Sequence, residues 1–188
     1  LSAPAGRSLP PRILEPILIV AEMIDRRRRH IHPIRPAGVL GVEHGRYHGP
    51  PTTLRDGTVV PDGAPILLLH LLNVRLRDHL AAHDRPAAWR EAQGDFRALA
   101  AWWRRQPPGS RPLALHSATL HVALARRMGM EILPRRRTLR ARVDDWFMRW
   151  LMVRYGLDPT GRGRMRRGRH ALESGLAWFS MAELAARY

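Results

Sequence analysis

Residues 52–71 read Thr-Thr-Leu-Arg-Asp-Gly-Thr-Val-Val-Pro-Asp-Gly-Ala-Pro-Ile-Leu-Leu-Leu-His-Leu. Asp56-Gly57 stands between two short β-prone runs, Thr52–Arg55 and Thr58–Val60, and predicts a hairpin with a two-residue turn. Asp62-Gly63 predicts a second turn. Ile66–Leu71 is then a near-continuous apolar run, the pattern of a strand buried on both faces. Just upstream, Gly38–Val42 and Arg46-Tyr47 predict an earlier strand. Residues 38–71 therefore read as a compact antiparallel unit.

Upstream of that unit, Ile13, Leu14, Ile17, Leu18, Ala21 and Ile24 recur at helical spacing. The predicted helix ends in Arg26–Arg29, where cations complement the negative end of the helix dipole, and Pro33 and Pro36 prevent its continuation. Residues 1–11 read as a flexible tail. Downstream the pattern is mostly helical. Leu72–His83 is a short helix, and Asp84-Arg85-Pro86 opens the next, whose buried face is Trp89, Ala92, Phe96, Leu99 and Trp103. After a loop at Gln106–Pro112, a strand at Leu113–His116, a helix over 118–128 closed by Gly129, and a strand at Met130–Leu133 form a βαβ-like segment that predicts parallel pairing. Thr138–Tyr155 is the clearest helix. Leu139, Val143, Trp146, Phe147, Trp150 and Leu151 share one face, which predicts burial, and Asp145 and Arg149 are spaced to pair. A last strand at Leu176–Phe179 and a terminal helix at Met181–Arg187 complete the chain. The fold class is α+β: a small antiparallel β unit plus helices and a βαβ-like segment, in a single domain over 12–188.

The chain has a formal net charge of +16, and all 32 of its Lys and Arg residues are arginine. A guanidinium is permanently charged and forks onto carboxylates and phosphates, so the excess points to an anionic partner. A GC-rich coding sequence accounts for arginine over lysine, but not for the excess over acids. The absence of cysteine excludes disulfides and thiolate metal sites. No apolar run is long enough to span a bilayer, and Glu15, Pro16 and Glu22 break the one resembling a leader. These features predict a cytoplasmic protein, or one peripheral at the inner face of the membrane.

No serine–histidine–acid set, paired-carboxylate motif, P-loop or dinucleotide fingerprint is present, and no cofactor is expected. His79 and His83 lie one helical turn apart, but no third metal ligand accompanies them, so no metal site is assigned. His30/His32 and His44/His48 read as surface pairs. His70 ends a buried strand, with Asn73 three residues on, where it would serve as an N-cap. If the later strands join a parallel sheet, His70, Asn73, Ser117, Thr119 and Ser180 gather at one edge as a candidate pocket. Arg162, Arg164, Arg166, Arg167 and Arg169, interleaved with glycine, form a candidate anion-binding loop.

Several segments together resemble the YkoP-like domain, a bacterial family of uncharacterised function. They are Arg46-Tyr47-His48-Gly49, Leu54–Val60 and Leu69-His70-Leu71-Leu72-Asn73 in that order. Ala114–Thr119 followed by Arg127–Glu131, and Trp178-Phe179-Ser180 with Glu183-Leu184, continue the pattern. Asp62-Gly63-Ala64, Ser117 and Phe179 depart from it. Fusion of such domains to polysaccharide deacetylase-type domains implies a role in envelope glycan or lipid metabolism, without catalytic residues. The expectation is an accessory module that engages an anionic lipid, polyprenyl phosphate or acidic glycan through arginines. The alternatives are a small envelope-pathway enzyme using His70 and, third, a nucleic-acid-binding protein, for which no motif is present.

Overall fold

The computed structural model describes residues 20, 23–24, 26–82, 85–119, 122–135, 138–154 and 174–188. The strands are β1 (His32–Pro33), β2 (Leu40–Arg46), β3 (Thr52–Thr53), β4 (Val59–Val60), β5 (Pro65–Leu71), β6 (Ala114–Thr119), β7 (Glu131–Pro134) and β8 (Gly175–Ser180). The helices are α1 (Asn73–Ala82), α2 (Arg85–Arg105), α3 (Val122–Arg127), α4 (Leu139–Arg154) and α5 (Met181–Arg187). Ahead of β1, Val20, Met23, Ile24 and Arg26–Arg28 are helical. Six strands form a mixed sheet in the order β1-β2-β5-β6-β8-β7, and β3 and β4 form a separate ribbon. This is an α+β fold.

β2 and β5 pair antiparallel along seven residues, Leu40↔Leu71 to Arg46↔Pro65, as the apolar run predicts. β5 pairs parallel with β6, Leu68 opposite His116. The βαβ-like expectation holds in direction and fails in adjacency. β6 and β7 both run antiparallel to β8, which lies between them. The last strand therefore inserts into the gap that the earlier crossover leaves.

The hairpin differs from the two-residue turn. Gly57 N donates to the Leu54 carbonyl at 2.9 Å and Leu54 N to the Thr58 carbonyl at 2.9 Å, so three residues form the loop. Gly57 has φ 85°, whereas a two-residue type I′ turn also needs positive φ at the preceding residue. Asp56 instead bonds Thr58 N at 3.0 Å and Thr58 Oγ at 3.0 Å.

The pleat divides the sheet into two faces. Leu67, Leu115, Ala177 and Phe179 pack on one face against Phe96 and Leu99 of α2 and Met181 and Leu184 of α5. Ile66, Ala114 and Trp178 pack on the other against Leu54 and Val60 of the ribbon. Ala92, Phe96 and Leu99 are buried as the helical spacing of α2 predicts. On that same helix face Asp95 is fully buried. Its carboxylate accepts from Val39 N and Leu40 N, each at 2.9 Å, and from Arg35 Nε at 2.8 Å. A Cβ on Gly38 would overlap that carboxylate, so glycine is required where the loop meets α2.

The expected core face of α4 is not a core at its start. Leu139, Val143 and Trp146 are 77%, 56% and 62% exposed, while Ala141 is buried. Periodicity identified the helix but not what covers its apolar stripe. The side chains of Phe147, Arg149, Trp150 and Leu151 lie outside the described set, as do residues 1–11. Asp145, read as a partner of Arg149, is engaged by Arg135.

Candidate functional site

The C-terminal ends of β5 and β6 meet at one edge of the sheet, together with the start of β2, the end of β7 and the start of β8. This edge receives His70, Ser117 and Thr119, with Asn73 just beyond it. It does not receive Ser180, which pairs with Ala114 at the far edge because β8 runs antiparallel. The pleat separates the rest. His70 shares a face with Leu68 and His116, whereas Ser117 and Thr119 share the face of Leu115. The five residues therefore do not line one pocket.

Three of them have other roles. Ser117 Oγ donates to the Leu69 carbonyl at 3.0 Å, tying β6 to β5. Asn73 is the first helical residue of α1, and the Leu72 carbonyl accepts from Leu76 N at 2.9 Å, so the cap position falls on Leu72. Ser180 caps α5, its hydroxyl accepting from Glu183 N at 2.9 Å. Arg162, Arg164, Arg166, Arg167 and Arg169 lie outside the described residues. Among the described residues no three His, Cys, Asp or Glu side chains are grouped to hold a metal. His83 is outside that set.

What gathers beside His70 is a different constellation. His70 Nε2 is 3.0 Å from Glu43 Oε2, two register positions away diagonally across β2 and β5. On the adjoining strand His116 stacks on Trp178, ring centroids 4.1 Å apart and planes 28° apart. Tyr47 meets the same indole edge-on at 5.4 Å. Burial holds His116 down to about 4, with nearby Arg135 acting in the same direction against a hydrogen bond that the ring donates to the Ala177 backbone. The imidazole is thus neutral at neutral pH. His116 Nδ1 and Trp178 Nε1 are both buried without a hydrogen-bond partner among the described residues. Arg135 is committed elsewhere, Nη1 to Asp145 at 2.8 Å and Nη2 to Asp144 at 2.7 Å, while Ser174 Oγ donates to Asp145 at 2.6 Å. The register of β5 with β6 is the signal that joins His70 to His116, and it is absent from either strand's own sequence.

At the far edge the ribbon is clamped to the domain. Arg55 N donates to Glu131 at 2.8 Å, Arg55 Nη2 to the Gly129 carbonyl at 2.6 Å, and the guanidinium also pairs with Glu183. Asp56 bonds the Ser180 hydroxyl. Burial raises the Asp56 carboxyl, but hydrogen bonds from Ser180 and Thr58 outweigh it and hold the group below its ordinary value.

Two clefts open elsewhere. One, of ≈ 510 Å³, includes His44, Arg46 and His48 in its lining. The other, of ≈ 420 Å³, is lined by Met23, Arg26, Arg27, His30, Ile31 and His32, where the N-terminal helix ends.

The fold and its internal clamps define an α+β domain whose most distinctive sequence segments are those that lock ribbon, sheet and terminal helix together. The chain matches the YkoP domain over residues 12–188 and belongs to that family. No curated protein and no solved structure matches it.

Proposed function

We propose that this YkoP domain is a peripheral membrane module that engages anionic lipid through its arginines, as an accessory to envelope lipid or glycan metabolism. The observation that supports this reading is at the N-terminal helix. Val20, Met23 and Ile24 are 52%, 47% and 47% exposed, and they lead directly into Arg27, Arg28 and Arg29, which are exposed as well. Apolar side chains beside arginines are the composition of a helix that lies in a lipid interface. Among the described residues no helix is long and apolar enough to cross a membrane.

Magnitudes show why both halves are needed. Three guanidinia near an anionic surface contribute about 3 kcal/mol, short of the roughly 4 kcal/mol of a millimolar complex. Burying the exposed halves of three apolar side chains adds about another 3 kcal/mol. Together they reach a dissociation constant on the order of 10–100 µM. Many other arginines are occupied internally. Arg35, Arg55 and Arg135 pair with carboxylates, and Arg46 and Arg75 hold backbone carbonyls.

Sedimentation with vesicles tests the reading. Vesicles of phosphatidylcholine with phosphatidylglycerol retain the protein at low salt, and pure phosphatidylcholine does not. Raising salt from about 0.1 M to about 1 M contracts the Debye length from about 10 Å to about 3 Å and releases most of it. Equal retention on both vesicles at low salt overturns the proposal. Saturable DNA binding without vesicle binding favours a nucleic-acid role instead. The Glu43–His70 pair supports a second reading, a small envelope-pathway enzyme, in which His70 moves a proton while Glu43 orients it.

A further inference from the structure

We propose that the cleft at the end of the N-terminal helix binds a phosphomonoester carried on an alkyl chain, a proposal that rests on the membrane reading and gives it a specific headgroup. The helix ends in a paired hydrogen-bond motif: Ile31 N donates to the Arg26 carbonyl at 2.9 Å and His30 N to the Arg27 carbonyl at 3.3 Å. Such an ending places its turning residue in the left-handed region, where glycine is the ordinary occupant. Here His30 holds that position, at φ 51°, the one described non-glycine residue with positive φ. Gly129 has the same role at the end of α3, with φ 89°. A histidine in place of glycine works against the local backbone, and strain of this kind concentrates where a side chain is required for binding.

The turn brings His30 and His32 beside Arg26 and Arg27 in the ≈ 420 Å³ cleft. That volume suits a small ligand. Arg26 Nε is buried and has no hydrogen-bond partner among the described residues. Burying a guanidinium N–H without an acceptor is unfavourable, and a ligand oxygen at that point would satisfy it. None of the described lining residues is acidic, and Arg26 and Arg27 bring positive charge to the cleft. The C-terminal end of the helix dipole opposes an anion with only about half a charge, and two of its carbonyls are already bonded. Two full guanidinium charges outweigh it and match a phosphomonoester dianion. Met23 and Ile31 complete the lining with apolar surface, continuous with exposed Val20 and Ile24. An alkyl chain leaving the phosphate would follow that surface into the bilayer.

Titration calorimetry of the full chain with inorganic phosphate and with monomeric octyl phosphate tests the assignment, with vesicle sedimentation run in parallel. Octyl phosphate is expected to bind saturably, at least about tenfold tighter than inorganic phosphate, because only it uses the apolar wall. Arg26→Gln is expected to weaken octyl phosphate about tenfold while phosphatidylglycerol vesicles, held by the exposed Arg27–Arg29, still bind. His30→Gly is expected to raise or keep the thermal midpoint and yet weaken octyl phosphate, an outcome that a merely structural role would not give. Octyl phosphate binding unchanged by both substitutions overturns the site. Equal affinity for inorganic phosphate overturns the alkyl-chain assignment. Absence of octyl phosphate binding with intact vesicle binding removes the cleft and leaves the membrane reading standing, whereas loss of both removes both.

Discussion

His116 is buried against Trp178 and stays neutral because its charged form cannot be solvated there. The sign of the consequence follows. Its folded value is lowered from 6.5 to about 4, so between those limits the unfolded chain takes up a proton that the folded chain does not. Stability is complete above pH 6.5 and falls as the pH drops toward 4, by roughly 3 kcal/mol from this group. His116→Phe keeps the stacking and removes the titration. Urea denaturation at pH 7 and pH 4.5 is expected to show a smaller pH loss in the variant than in the wild type; an identical loss would mean the imidazole is protonated in the fold. At this scale the sequence was partly legible. His116 was visible as a strand residue, but its partner Trp178 lies on a strand whose pairing no local pattern states. Asp95 stands in the sequence where burial can be inferred. It sits one turn from Ala92 and Leu99 on an apolar helix face, and a carboxylate there demands partners. What remained hidden was that those partners are Arg35 and the backbone of Val39 and Leu40.

Among elements, helices and strands declared themselves wherever period and punctuation agreed, as in α2 and β5. Order within the sheet did not, because β8 reaches its place only after α4 has intervened. That same order dissolved the candidate pocket. Reversing β8 moved Ser180 to the far edge, and the two-residue pleat put Ser117 and Thr119 behind His70. Ser180 instead starts α5, where Ser180 and Glu183 have the spacing of a capping box. The hydroxyl also binds Asp56 of the hairpin loop, so one atom joins the cap to the ribbon. Ser180→Ala is expected to cost about 1 kcal/mol for the cap alone. Because it also frees the Asp56 contact, the total is expected to reach about 2 kcal/mol. Amide exchange should accelerate in the ribbon as well as in α5. Faster exchange confined to α5 would show that the Ser180–Asp56 contact does not hold the ribbon.

For the whole molecule, family and fold class were within reach of one sequence, whereas the use of its charge was not. A total of +16 does not say which arginines are spent inside. Arg35 and Arg55 lie far along the chain from the groups they bind, and only the fold reveals them as structural. The exposed stripe of α4 carries the complementary lesson. Its apolar period is that of a core helix, and a buried tryptophan there would cost about 3–5 kcal/mol on truncation. Trp146 is 62% exposed, so Trp146→Ala is expected to change folding stability by no more than about 0.5 kcal/mol. If the stripe of Leu139, Val143 and Trp146 lies on the same membrane-facing side as the N-terminal helix, the substitution will nevertheless weaken retention on phosphatidylglycerol vesicles. The wild type will also show a blue shift of tryptophan emission that the variant lacks, since an indole entering the interface leaves water. A thermal midpoint that collapses in Trp146→Ala would restore the stripe to the core. An unchanged midpoint with unchanged retention and emission would confine membrane contact to Val20, Met23, Ile24 and the arginines that follow them.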